Sequence, residues 1–138
     1  MGRILINDLV EIAGDMPTHY RIVGRCKDII NRGGKLAIQL YNSTAADGLA
    51  NSDVEVSMDG VRYTFPAAHT VLLEPGESIT LPTGLYHKFW GVGQRVLLGE
   101  VSMVNNDHTD NCFLDPVGRF PDIEEDEPPL HLFVGDYA

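Results

Sequence analysis

The stretch from Val54 to Phe65 reads VEVSMDGVRYTF. Val54, Val56 and Met58 alternate with Glu55 and Ser57. After Asp59-Gly60, Val61, Tyr63 and Phe65 alternate with Arg62 and Thr64. A period of two sends neighbouring side chains to opposite faces of a strand. Asp-Gly between two such runs predicts a hairpin closed by a type I′ turn, because both turn positions need φ > 0. The same grammar recurs along the chain. Strands are predicted at His19–Val23, Leu36–Leu40, Thr70–Leu73, Ser78–Leu81, Leu85–Trp90, Arg95–Val104 and Leu130–Val134. Pro, Gly, Asn and Asp interrupt them at roughly eight to twelve residue intervals. Asn31-Arg32-Gly33-Gly34 reads as a strong turn, and Asn42–Asp53 and Gly91–Gln94 read as loops. Arg3–Ile12 fits either strand–turn–strand or a short helix. Nowhere does a 3.6-residue period persist, so the chain reads as all-β, a sandwich or barrel.

With 138 residues, 43% of them hydrophobic, the chain is expected to form a single domain, 1–138, with a real core. No apolar run nears the roughly 20 residues of a membrane span. A formal net charge of −10 argues against nucleic acid or an anionic membrane as partner. The acid is concentrated near the C-terminus, in Asp122, Glu124, Glu125, Asp126, Glu127 and Asp136. Asn105–Pro129 lacks strand alternation and is expected to be an irregular functional segment or packed flap. Cys26 and Cys112 have no C-x-x-C spacing and the N-terminus lacks a secretory apolar region. A cytoplasmic location with reduced thiols is the expectation.

The chemistry centres on Leu73–Trp90, LEPGESITLPTGLYHKFW. Two Pro/Gly turns flank a strand and place His87 on an apolar face with Leu85 and Phe89. An imidazole there needs a hydrogen bond, a metal or a substrate. His19 also lies on a predicted strand, sharing a face with Arg21 and Val23. Two such histidines in a small barrel can converge on the interior. Glu100 shares a face with Val96, Leu98 and Ser102. If buried it must be paired, metal-bound or protonated; the other reading is a strand-edge carboxylate in solvent. Lys88 and His69 read as surface residues, and His108 and His131 join no constellation. There is no phosphate-binding glycine loop before a helix, no nucleophile elbow and no paired C-x-x-C.

Several stretches together resemble the D-lyxose isomerase family: Pro17-Thr18-His19-Tyr20, Asp28-Ile-Ile-Asn-Arg-Gly-Gly34, Gln39-Leu-Tyr-Asn-Ser43, Pro75-Gly-Glu-Ser-Ile-Thr-Leu81, Tyr86-His87-Lys-Phe-Trp90, Gly99-Glu-Val-Ser102 and Thr109-Asp-Asn111. Gly118-Arg-Phe-Pro121 and Ile123-Glu-Glu-Asp126 continue the match. The resemblance implies a cupin-type jelly-roll barrel holding one divalent metal, often manganese. It implies interconversion of an aldose and a ketose, D-lyxose with D-xylulose or D-mannose with D-fructose, through a metal-assisted enediol. It also carries an expectation of a homodimer. On this reading His19 and His87 bind the metal, Glu100 is ligand or proton-transfer base, and Arg25 stands where the family has a catalytic lysine. The family pattern is H-x-H, then K-x-E-D-I-I-N-R-G-G. Here Arg21 follows His19 at the second histidine, Lys27 replaces the glutamate, and His19 lies one residue further from Asp28 than the pattern has it. Neither cation can ligate a divalent ion, and each repels one. A competing expectation follows: a non-catalytic cupin that binds a sugar or other small polar ligand without metal.

Overall fold

The Asp59-Gly60 hairpin forms as the alternation predicts, with φ of 48° and 83° at the two turn residues. The computed structural model describes residues 4–12 (backbone only), 18–23, 26–103, 106, 109–116, 128 and 130–131. In chain order the strands are β1 (Ile4–Ile12), β2 (Tyr20–Ile22), β3 (Lys27–Gly33), β4 (Leu36–Tyr41), β5 (Val54–Met58), β6 (Val61–Phe65), β7 (Thr70–Leu73), β8 (Ser78–Leu81), β9 (Tyr86–Gly91), β10 (Val96–Met103) and β11 (Asn111–Phe113). The described residues contain no helix, and so none long and apolar enough to cross a membrane.

All pairings are antiparallel and sort the strands into two sheets. One has the order β1-β10-β3-β8-β5-β6, the other β11-β2-β9-β4-β7. Their inner faces share one core. Ile29, Val54, Val56, Ile79, Leu81, Val96 and Leu98 come from the first sheet. Ile22, Leu36, Ile38, Leu40, Val71, Leu73 and Phe89 come from the second. Full burial of each such aliphatic side chain stabilises by about 1.5–3 kcal/mol before the entropy of ordering is counted. The all-β expectation is met.

Four local expectations change. Of the stretch Arg3–Ile12, the described part, Ile4–Ile12, is neither helix nor strand–turn–strand. It is one strand along β10, with a register shift between Asn7 and Leu9 where Asp8 is the extra residue. Asn31-Arg32-Gly33 is not a turn but the end of β3. Asn31 points into the core, and the chain reverses at Gly34, whose φ is +79°. A Cβ there would lie 2.4 Å from the Arg95 carbonyl oxygen, so only glycine fits. The segment Asn105–Pro129 contains a strand, β11, that extends the second sheet by pairing with β2. Leu130 and His131 are bends rather than strand, with Leu130 91% exposed, and the rest of that predicted strand lies outside the described residues.

Candidate functional site

The barrel interior carries polar chemistry at one end of β3. Lys27 opens that strand, pairs in register with Ser102 of β10 and Leu81 of β8, and is 2% exposed. Period-two alternation sends Lys27, Ile29 and Asn31 inward. On β10, Glu100 opposes Ile29, so its side chain lies one step along from Lys27 on the same inner face. The ammonium Nζ donates to Glu100 Oε2 at 3.2 Å. It also donates to the Tyr20 hydroxyl. Its charge lies 4.4 Å from the Tyr20 ring centroid and 5.5 Å from that of Phe89. A buried ammonium without such partners would be prohibitively costly; the carboxylate, the phenol and the two ring faces replace its hydration.

The opposite sheet completes the cluster. Tyr20 on β2 pairs directly with His87 on β9, and their ring centroids are 4.2 Å apart. His87 is 1% exposed and sits among Tyr20 and Phe89. Its Nδ1 lies 3.1 Å from the Leu85 carbonyl oxygen. A carbonyl only accepts, so Nδ1 carries the proton and Nε2 presents a bare lone pair. That Nε2 is buried and has no hydrogen-bond partner. Burial, followed by the nearby Lys27 charge, holds the imidazole well below the usual histidine range. His87 is therefore neutral at neutral pH. The Glu100 side chain is 23% exposed, so the cluster opens to solvent beside the carboxylate.

The expected partnership of His19 with His87 does not form. Tyr20 and Ile22 face the core, and the neighbouring residues of opposite parity turn to the outer side of the sheet. His19 lies with Gln39, its Nε2 3.0 Å from Gln39 Oε1, and edge-on to Tyr41 at 5.3 Å. Burial lowers its pKa, with the Gln39 hydrogen bond opposing. Arg21 is on the outer side too, in an ion pair with Asp47 and 5.6 Å from the Tyr86 ring centroid. The longer spacing between His19 and Asp28 explains the exchange. Counted back from Asp28, the two inward positions of the family pattern fall on Tyr20 and Ile22. The readable signal was apolar: tyrosine alternating with isoleucine is the better candidate for an inner face than histidine alternating with arginine. Lys27 does take the inward position that its alignment assigned. Arg25 lies outside the described residues.

A divalent metal needs three or four lone-pair donors converging on one point. Among the described residues no group of three or more His, Cys, Asp or Glu does so. His87 Nε2 supplies one lone pair, but Lys27 already occupies Glu100 and adds a positive charge to the same space. A divalent metal does not fit this donor set, and His19 is on the wrong side of the sheet to help. The arrangement offers groups of the kind a neutral polyhydroxyl ligand needs: a buried imidazole lone pair that can accept from a hydroxyl, a fixed ammonium, and a carboxylate at the open edge that can take a proton.

A family model described as D-lyxose isomerase matches residues 7–137. The chain is 49% identical over 125 residues to the D-lyxose/D-mannose isomerase of Serratia proteamaculans, covering 88% of this chain and 54% of that one. It is 46% identical over 125 residues to the D-lyxose/D-mannose isomerase of Escherichia coli O157:H7, with the same coverage. The D-lyxose ketol-isomerase of Cohnella laeviribosi matches at 40% over 69 residues, 49% of this chain and 37% of that one. This chain thus spans about half the length of the first two curated relatives. Among solved structures, the hydroquinone 1,2-dioxygenase of Sphingomonas sp. TTNP3 superposes with a TM-score of 0.51 at 14% identity, over 75% of this chain and 60% of that one. That likeness is one of fold alone, and the fold is a cupin-type jelly roll.

Proposed function

We propose, from the premise that this chain belongs to the D-lyxose isomerase family, that it interconverts a small aldose and its ketose in the barrel interior. D-Lyxose with D-xylulose and D-mannose with D-fructose are the first pairs to test, since the relatives are named for D-lyxose and D-mannose. The observation that carries this reading is the inward cluster of Lys27, Glu100, Tyr20 and the unpartnered His87 Nε2. It gathers a carboxylate, a buried donor and a buried acceptor within reach of one small ligand.

In this reading the open-chain aldose enters past Glu100. The carboxylate takes the proton from C2, and the electron pair moves to form C1=C2 while O1 gains a proton. The resulting enediol loses the O2 proton and is protonated at C1, which gives the ketose. No oxidant, reductant or co-substrate is consumed. His87 Nε2 accepts a hydrogen bond from a substrate hydroxyl and so orients the carbon chain. Burial among Tyr20 and Phe89 and the nearby Lys27 charge disfavour its protonated form, so it is a weak base and the proton goes to Glu100.

The test is incubation of the full chain with D-lyxose and, separately, D-mannose in D2O, followed by NMR. Ketose formation with deuterium incorporated at carbon is expected, and Glu100→Gln should abolish both signals. No conversion of either sugar, with or without added manganese, would overturn the assignment as an isomerase. Binding of the sugars without turnover would leave the sugar-binding cupin as the function.

A further inference from the structure

We infer that Lys27 is the resident cation of this site, a covalently held substitute for a metal ion. The inference rests on the sugar-isomerase reading for its catalytic arm, but its geometric core does not. A metal in such a chemistry would polarise the carbonyl oxygen and offset the negative charge that develops there. The Lys27 ammonium is placed for that task. It is 2% exposed, reaches the interior from β3, and sits 3.2 Å from Glu100 at the open edge. The Tyr20 hydroxyl holds it from the opposite sheet, so its position is set from both sides of the barrel. The Tyr20 and Phe89 rings, with centroids 4.4 and 5.5 Å from Nζ, add cation–π stabilisation to the charge. An ammonium has three protons and no lone pair. Two of them turn to Glu100 and the Tyr20 hydroxyl, which fixes the charge in the barrel interior.

The His87 Nε2 lone pair is buried without a partner in the neighbourhood of this fixed positive charge. The site is thus complete for a carbonyl or hydroxyl ligand and closed to a divalent cation. Two chemical consequences follow. Turnover needs no added metal and survives chelation. Removal of the ammonium converts the cluster from a cation-repelling site into one that admits a cation, because His87 and Glu100 are then released to it.

Manganese(II) alone, titrated calorimetrically into the full chain and followed by its electron spin resonance signal, tests the second consequence without reference to activity. The wild-type chain should show no stoichiometric binding. Lys27→Glu should bind at least about tenfold more tightly, and His87→Ala in that background should remove the gain. If Lys27→Glu does not fold, Lys27→Gln removes the charge with a smaller perturbation and carries the same expectation in direction. Stoichiometric wild-type binding that His87→Ala abolishes would overturn the proposal, as would a folded Lys27→Gln or Lys27→Glu chain with no gain. In the activity arm, a chelator should leave turnover unchanged. Lys27→Met should lower it by about 100- to 1,000-fold, the usual effect of deleting a preorganised donor to a developing oxyanion. If no sugar turns over at all, the isomerase reading fails while the manganese titration still decides the role of Lys27.

Discussion

Lys27 and Asn31 lie on the same strand, point into the same interior and are both buried, yet they do opposite things. Asn31 is fully satisfied. Its Nδ2 donates to the Gly34 and Leu73 carbonyls, each at 2.8 Å, and its Oδ1 accepts from the Gly33 N–H at 3.1 Å. It closes its end of the barrel by tying the Gly34 reversal to β7. Lys27 stands at the other end, beside a carboxylate that meets solvent and an imidazole nitrogen with no partner. A buried polar residue whose every bond is made by its own chain is architecture. A polar cluster with an unpartnered acceptor beside a partly exposed carboxylate keeps hydrogen-bonding capacity that the described residues do not use.

The sharpest way to break this contrast is to mutate both ends and read both activity and stability. Glu100→Gln should lower aldose–ketose conversion by about 100- to 10,000-fold, the usual contribution of a general base. It should also destabilise the fold, because the buried Lys27 loses its counter-ion. Adding Lys27→Met should recover most of that stability in urea denaturation but none of the activity, since removing both charges is far cheaper than stranding one.

At the architectural end the outcome should invert. Asn31→Ala strands two carbonyls and an N–H in the core and should cost about 2–4 kcal/mol in denaturant unfolding. Sugar binding by the molecules that remain folded should not change. Equal effects of Asn31→Ala and Lys27→Met on binding would erase the distinction between the two ends.

The pH dependence sharpens the same picture. Burial depresses the folded-state pKa of His87 well below 6.5. Between that depressed value and about 6.5 the unfolded chain binds the proton and the folded chain does not. Stability should therefore rise with pH through this window, by up to about 1.4 kcal/mol per pH unit, and level off above it. His87→Phe should flatten that slope in a series of denaturation curves. The smallest effect on ligand binding is expected outside the barrel. Arg21→Ala removes an ion pair to a 73%-exposed Asp47 together with the packing of a 12%-exposed side chain on Tyr86, so stability should fall by about 0.5–3 kcal/mol, with no change in manganese or sugar binding.

Much of this was legible in the residues. The Asp59-Gly60 turn, the alternation of Leu36, Ile38 and Leu40, and the inward set Leu85, His87 and Phe89 all follow from period-two patterning and turn chemistry. Glu100 on the inner face of β10 with Val96, Leu98 and Ser102 follows from the same rule. The differences have separate physical causes. His19 and Arg21 were assigned inward because a motif was matched across a spacing that is one residue longer here. In a strand a shift of one residue exchanges the two faces completely. Asn31-Arg32-Gly33 reads as a turn by composition, but β10 carries pairing on to Gly33, and Asn31 exchanges backbone hydrogen bonds with Glu77 and Gly76 before β8. β11 was hidden in an acidic segment because three residues are too few to show a period.

The sequence by itself determined the class of the fold, its turns and the alternation of each long strand. These depend on local φ/ψ preferences and on which side chains leave water together. The tertiary structure settled which parity of β2 faces the core by pairing Tyr20 with His87 across two strands distant in the chain, where the sequence carried only the short alternation of Tyr20 with Ile22. It alone decided that Lys27 meets Glu100, 73 residues away, rather than solvent. Charge pairing across a barrel is a property of strand order and register, and no local pattern encodes it.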